Sequence, residues 1–129
     1  LFPFHKQIRD VFPNHILIFH NDLLSYDILK SLSEVGIDVF NLGKTTDLAM
    51  SKRIMHGKVS LLGNLDPLDL MTKGSPQEVI KASKHCFSQA AEGGGFILSA
   101  GGGMNAGTLP KNLDAMVSAA REYGKISPE

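Results

Sequence analysis

Residues 58–99 read KVSLLGNLDPLDLMTKGSPQEVIKASKHCFSQAAEGGGFILS, and this stretch decides the fold class. It opens with a β-rich apolar run, residues 58–62, and closes with another, residues 95–99. Between them lies the strongest local signal in the chain, Ser75-Pro76-Gln77-Glu78. A serine hydroxyl accepts from a free amide of the first helical turn, and proline suits the first helical position because its missing N–H would be unpaired there. A glutamate three residues after the serine bonds back to it and completes a capping box. A helix therefore starts here, and Gly93-Gly94-Gly95 ends it and opens the next strand. Strand, helix, strand with nearly continuous apolar strands means parallel pairing through a helical crossover, so the fold is α/β.

The same unit recurs along the chain. Residues 15–20 (HILIFH) and 37–41 (IDVFN) form the two earlier strands. The helix after the first carries Ile28, Leu29, Leu32 and Val35 on one face and stops at Gly36. Thr45 or Thr46 is expected to cap the helix after the second, with Asp47 in its first turn and Gly57 just beyond its end. The last helix places Leu113, Met116, Val117 and Ala120 on one face and ends near Gly124, ahead of a frayed tail. Residues 1–14 carry Phe4, Ile8 and Phe12 at helical spacing and are expected to finish a preceding unit's helix before Pro13 breaks it. Residues 1–129 thus hold four β/α units. A complete (β/α)₈ barrel takes about 250 residues, so four units make half of such a barrel or a small open doubly wound sheet.

Composition narrows the functional classes. With 43% apolar and 20% charged residues the chain suits one modest core of an ordinary globular domain. Thirteen basic and thirteen acidic residues cancel without forming blocks, which argues against a nucleic-acid or anionic-membrane partner. Cys86 is the single cysteine, which fits a reducing compartment and makes the cytoplasm the expected location. No apolar run reaches the roughly 20 residues of a membrane helix, and no signal-peptide layout opens the sequence. Beginning at Leu1, the sequence reads as a fragment.

In either architecture chemistry gathers where strands end. The four strands run into His20-Asn21-Asp22, Asn41, Gly63-Asn64-Leu65-Asp66-Pro67 and Ser99-Ala100-Gly101-Gly102-Gly103-Met104-Asn105, so these polar groups converge on one end of the sheet. His20 and Asp22, two apart at a strand terminus, suit metal ligation or proton exchange, while Asp22 equally suits a helix cap. Asn64 suits a ligand-facing role and Asp66 before Pro67 a turn. Gly101, Gly102 and Gly103 offer backbone amides to an anion, or simply flexibility, and do not complete a dinucleotide fingerprint. His5, His56 and His85 fall in helical stretches and His15 opens a strand, so these read as surface or packed residues. Cys86 reads as a small buried hydrophobe, and Met50, Met55, Met71, Met104 and Met116 as core filler.

GNLDP at residues 63–67, GSPQEV at 74–79, GFILS at 95–99 and PKNLDAM at 110–116 occur in an order and spacing that resemble the C-terminal half of the uroporphyrinogen decarboxylase superfamily. The resemblance covers nearly the whole chain and implies a TIM (β/α)₈ barrel of which this is the last half. It also implies one of two activities: cofactor-free decarboxylation of a tetrapyrrole, or zinc-dependent transfer of a methyl group from a corrinoid to a thiol such as coenzyme M. The methyltransferases carry a His-x-Cys motif that aligns with His20-Asn21-Asp22 and a further cysteine that aligns with Gly102. Two of their three zinc ligands are therefore not cysteine here. The decarboxylases place a histidine at the position of Gly102, and their principal catalytic aspartate and arginines belong to the N-terminal half.

The expectation from the sequence is an enzyme of the methyltransferase-like branch. His20 and Asp22 form its catalytic or metal pair, and Asn41, Asn64, Asp66, Gly101, Gly102 and Gly103 line the substrate pocket. Zinc and a corrinoid are the implied cofactors, or none for a decarboxylase. The expected partners are a small-molecule or tetrapyrrole substrate and either the missing N-terminal half of the barrel or a second copy. The alternatives are a uroporphyrinogen decarboxylase, a non-catalytic self-associating half-barrel and a small phosphate-binding α/β protein.

Overall fold

The computed structural model describes residues 2–22, 26–55 and 57–125. Its elements run α1 (Phe2–Val11), β1 (Ile18–Asn21), α2 (Tyr26–Leu32), β2 (Val39–Leu42), α3 (Leu48–Met55), β3 (Ser60–Leu65), α4 (Pro76–Ala90), β4 (Phe96–Ala100) and α5 (Pro110–Tyr123). The four strands form one parallel sheet in the order β1-β2-β3-β4. That order distinguishes the two architectures left open above. Right-handed crossovers between strands that advance in one direction place every connecting helix on the same face, as in a barrel. A doubly wound sheet reverses direction and puts helices on both faces.

Strand alternation then sorts the residues. Phe19, Phe40, Leu61 and Phe96 form one registered row facing the helices, and Phe19 stacks on Phe40 with centroids 5.9 Å apart. With Leu32, Leu42, Met55, Met71 and Val79 they build the core between sheet and helices. The adjacent row, His20, Asn41, Leu62 and Ile97, points to the opposite face, where Ile97 is 47% exposed.

Each strand was foreseen, but each is displaced towards its C-terminal end. Residues 15–17 do not join β1: the His15 carbonyl accepts from the Arg9 side chain and the Leu17 amide donates to the Asp38 carboxylate, although the Leu17 carbonyl still accepts the Asp38 and Val39 amides. His15 consequently lies in a turn, exposed and edge-on to Phe12. The capping box at Ser75 is present in full, with the Glu78 amide bonding the Ser75 hydroxyl at 3.3 Å and the Glu78 carboxylate accepting the Ser75 amide at 2.8 Å. Those bonds hold the Glu78 carboxyl below its usual range. The cap of α3 is Asp47, whose carboxylate accepts the Met50 amide at 2.8 Å, and neither Thr45 nor Thr46. Helix α2 ends at Leu32, so Val35 is buried from a turn. Met55 and Met71 fill core sites as expected, whereas Met104 is exposed.

The largest departure is α5. It packs on α4 through Asn112, Ala115 and Ala119, leaving Leu113 and Val117 exposed on the face that reads as buried in the sequence. Helix α1 behaves similarly: Phe4, Ile8, Val11 and Phe12 are all exposed, and Arg9 holds the helix by donating to Gly36 O and by pairing with Asp38. Among the described residues no helix is long and apolar enough to cross a membrane.

Candidate active site

The C-terminal ends of the strands converge through close backbone approach. A Cβ on Gly101 would stand 2.5 Å from the Lys44 nitrogen and 2.8 Å from its Cα, and one on Gly43 would stand 2.9 Å from the Asp22 Cα. Only glycine permits the loops after β1, β2 and β4 to touch in this way. Gly101 is therefore buried and structural, and Gly103 is exposed with nothing within 4 Å of its Cβ position.

This convergence brings His20, Asp22 and Gly102 together. His20 Nε2 lies 3.5 Å from Asp22 Oδ2, with both side chains about half exposed or more, at 49% and 66%. A Cβ on Gly102 would lie 3.5 Å from Asp22 Oδ1 and 3.8 Å from His20 Cε1. The Asp22 carboxylate faces His20, and the start of the helix it was expected to cap lies outside the described residues. A histidine beside a carboxylate in open space can exchange a proton or orient a polar group. As a metal site it is incomplete. Zinc takes three or four protein ligands, this pair supplies two, and no cluster of three or more His, Cys, Asp or Glu exists among the described residues.

The other expected residues are engaged with the protein itself. Asn41 is buried, and its amide donates to Leu62 O at 3.0 Å and to Ala100 O at 3.5 Å, tying β2 to β3 and to the end of β4. Asn64 turns to the helix side, donating to Gly43 O at 3.3 Å and Thr46 O at 2.8 Å, with the Cys86 thiol 3.9 Å from its carbonyl. Burial pushes that thiol's pKa up, so Cys86 behaves as the apolar residue expected. Asp66 accepts the amides of Leu68 and Asp69, each at 2.9 Å, and pairs with Lys44 at 2.7 Å. Burial works to raise the Asp66 carboxyl, but the Lys44 ammonium and the two amides outweigh it and hold it below the usual range.

Lys44 is the residue that sequence reasoning missed. It follows Gly43 at the end of β2 and lines a cleft of about 330 Å³ with Asp22, Gly43, Thr45, Pro67 and Gly101, its ammonium paired with Asp66 at 2.7 Å. Its position directly after a strand-terminal glycine was the available signal. Asn112 was also missed. It is fully buried on α5, and its amide donates to Met71 O at 3.1 Å and Gly74 O at 2.8 Å, locking the loop that carries Asp66.

With this geometry in place, known proteins supply the family. The profile of the uroporphyrinogen decarboxylase (URO-D) family matches residues 1–123. The chain belongs to the uroporphyrinogen decarboxylase family. It is 30% identical over 95 residues to a uroporphyrinogen decarboxylase of Coxiella burnetii, covering 74% of this chain and 26% of that protein. It is 29% identical over 121 residues to the methylated-thiol–coenzyme M methyltransferase of Methanosarcina mazei, covering 93% of this chain and 31% of that protein. A solved methyltransferase from Methanosarcina mazei superposes with a TM-score of 0.84 at 18% identity, over 95% of this chain and 35% of that one, which establishes the likeness of fold. The chain thus spans about a third or less of the curated relatives it matches.

Proposed function

We propose that this chain is the C-terminal half of a uroporphyrinogen decarboxylase-family barrel whose reaction is methyl transfer from a corrinoid to a small acceptor. The observation that carries the reading is the His20–Asp22 pair, 3.5 Å apart at the end of β1 and open to solvent beside Gly102. A corrinoid would supply the methyl group. His20, oriented by Asp22, accepts the acceptor's proton. No step is assigned to zinc, because the residues present provide two donors of the three or four it needs.

Support for the other half of the barrel as partner comes from the two open sheet edges, flanked by Phe4, Ile8, Val11 and Phe12 on one side and Leu109, Leu113 and Val117 on the other. A second copy is the weaker candidate. The helix α1 already packs against β1, with His5 edge-on to Phe19, so that edge is partly covered within the chain. The single cysteine fits a cytoplasmic setting.

The test uses the full-length protein with a methylated corrinoid and a thiol acceptor. His20→Ala and Asp22→Ala are expected to lower kcat by about 100-fold or more while leaving Tm unchanged. Unchanged turnover in His20→Ala would remove the pair from the mechanism. Metal content by mass spectrometry belongs beside it: stoichiometric zinc lost in both variants would mean that the rest of the barrel completes a ligand set. Tetrapyrrole decarboxylation is the second reading, favoured by the Coxiella relative, and turnover of a tetrapyrrole carboxylate without corrinoid would establish it in place of methyl transfer.

A further inference from the structure

The opposite end of the sheet carries a cluster that the proposed reaction does not use. A cleft of about 420 Å³ opens there, lined by Asp38, Lys52, Lys58, Ser60 and Gly93 to Gly95. Lys52 reaches it from the last turn of α3 and Ser60 from the first residue of β3. The Lys52 ammonium spends one of its three donors on Gly94 O. Among the described residues neither Lys52 nor Lys58 forms an ion pair with a carboxylate, and no bond to the Ser60 hydroxyl is found. Asp38, the one acid in the cleft, is already committed to Arg9 and to the Leu17 amide.

Gly95 makes room for the cluster. Its φ of +67° disfavours any side chain, and a Cβ there would lie 3.6 Å from Lys52 Nζ and 3.8 Å from Ser60 Oγ. The ammonium and the hydroxyl therefore border the same small space, which glycine keeps empty. Burial lowers the Lys52 pKa with no anion to oppose it.

We propose that this cleft binds a phosphate-type oxyanion, with Lys52 and Lys58 supplying charge and the Ser60 hydroxyl a hydrogen bond. Two lysines match the charge of a dianion, and a charge-assisted hydrogen bond is the strong class of such contacts. The bond to Gly94 O accounts for Lys52 alone, but not for Lys58 and a bare Ser60 around a glycine-made void.

The test is lysine footprinting of the full-length protein with an amine-acetylating reagent, titrated with inorganic phosphate against chloride at constant ionic strength. Saturable protection of Lys52 and Lys58 in the millimolar range is expected, with Lys81 and Lys111 unprotected. Lys58→Gln and Ser60→Ala leave Lys52 in place, and each should raise the midpoint of Lys52 protection by roughly tenfold, the loss of one charge-assisted contact. Glycerol phosphate protecting equally would assign the site to phosphate esters, and protection by the free ion alone to phosphate itself. Uniform protection of all lysines, none at Lys52, or midpoints unmoved in both variants would overturn the proposal.

Discussion

The two ends of the sheet use polar residues in opposite ways. At the loop end, where the sequence is dense with Asn, Asp and Gly, most polar side chains are bonded to backbone: Asn41 to Leu62 and Ala100, Asn64 to Gly43 and Thr46, Asp66 to Leu68 and Asp69. His20 and Asp22 remain more exposed there. At the other end, plain in sequence, two lysines and a serine surround a void without an acidic partner of their own. Residue type near a strand terminus therefore does not separate ligand-facing groups from structural ones. Counting each group's hydrogen-bond partners does, because a donor or acceptor already satisfied within the protein has little left to offer a ligand.

The comparison can be broken most sharply at Gly101. Replacing it with alanine drives a Cβ into the Lys44 backbone, and we expect a loss of about 3 kcal/mol or more in chemical denaturation, because backbone must move. A neutral outcome would mean that the loop end is looser than the contacts imply. Asn64→Ala comes next. It strands the Gly43 and Thr46 carbonyls and should cost about 2 kcal/mol, whereas a substrate-binding asparagine would change KM and leave the unfolding midpoint alone.

Effects at the other end should be smaller. The Leu17 amide, and then Arg9, hold the Asp38 carboxyl below its usual range, so its contribution is present above the unfolded pKa and is lost as pH falls through the folded one. Asp38→Asn should therefore flatten part of the acid limb of stability against pH. At neutral pH it should cost about 1 kcal/mol, since Asp38 is 47% exposed and the pair is screened. An unchanged acid limb would show that the bonds do not persist in solution. Lys52→Gln should be mildest, under about 1 kcal/mol, since it removes one bond to Gly94 from a partly exposed site. If it destabilises as much as Asn64→Ala, Lys52 serves the fold and the contrast between the two ends collapses.

Much of this was legible in advance. The capping box located α4 because every group in it is local, lying within four consecutive residues. Four strands were found, yet their N-terminal boundaries were set too early. At β1 the reason is Arg9 and Asp38, 29 residues apart, which intercept backbone groups that apolar character alone assigns to a ladder. In α5 periodicity identified a helix and chose the wrong buried face, because small residues pack closest against α4 and Leu113 and Val117 belong to a surface this chain leaves open. At the site, His20 and Asp22 were legible from their spacing. Lys44 and Asn112 were not, because their partners lie 22 and 38 or more residues away.

By itself the sequence determined the alternation of strand and helix, the parallel pairing it requires and the end of the sheet where polar residues gather, all of which follow from local periodicity and turn chemistry. Tertiary structure alone decided which polar groups are free. Satisfaction of a hydrogen bond depends on groups distant in the chain, and the glycines at 43, 95 and 101 acquire their meaning only from the atoms brought against them.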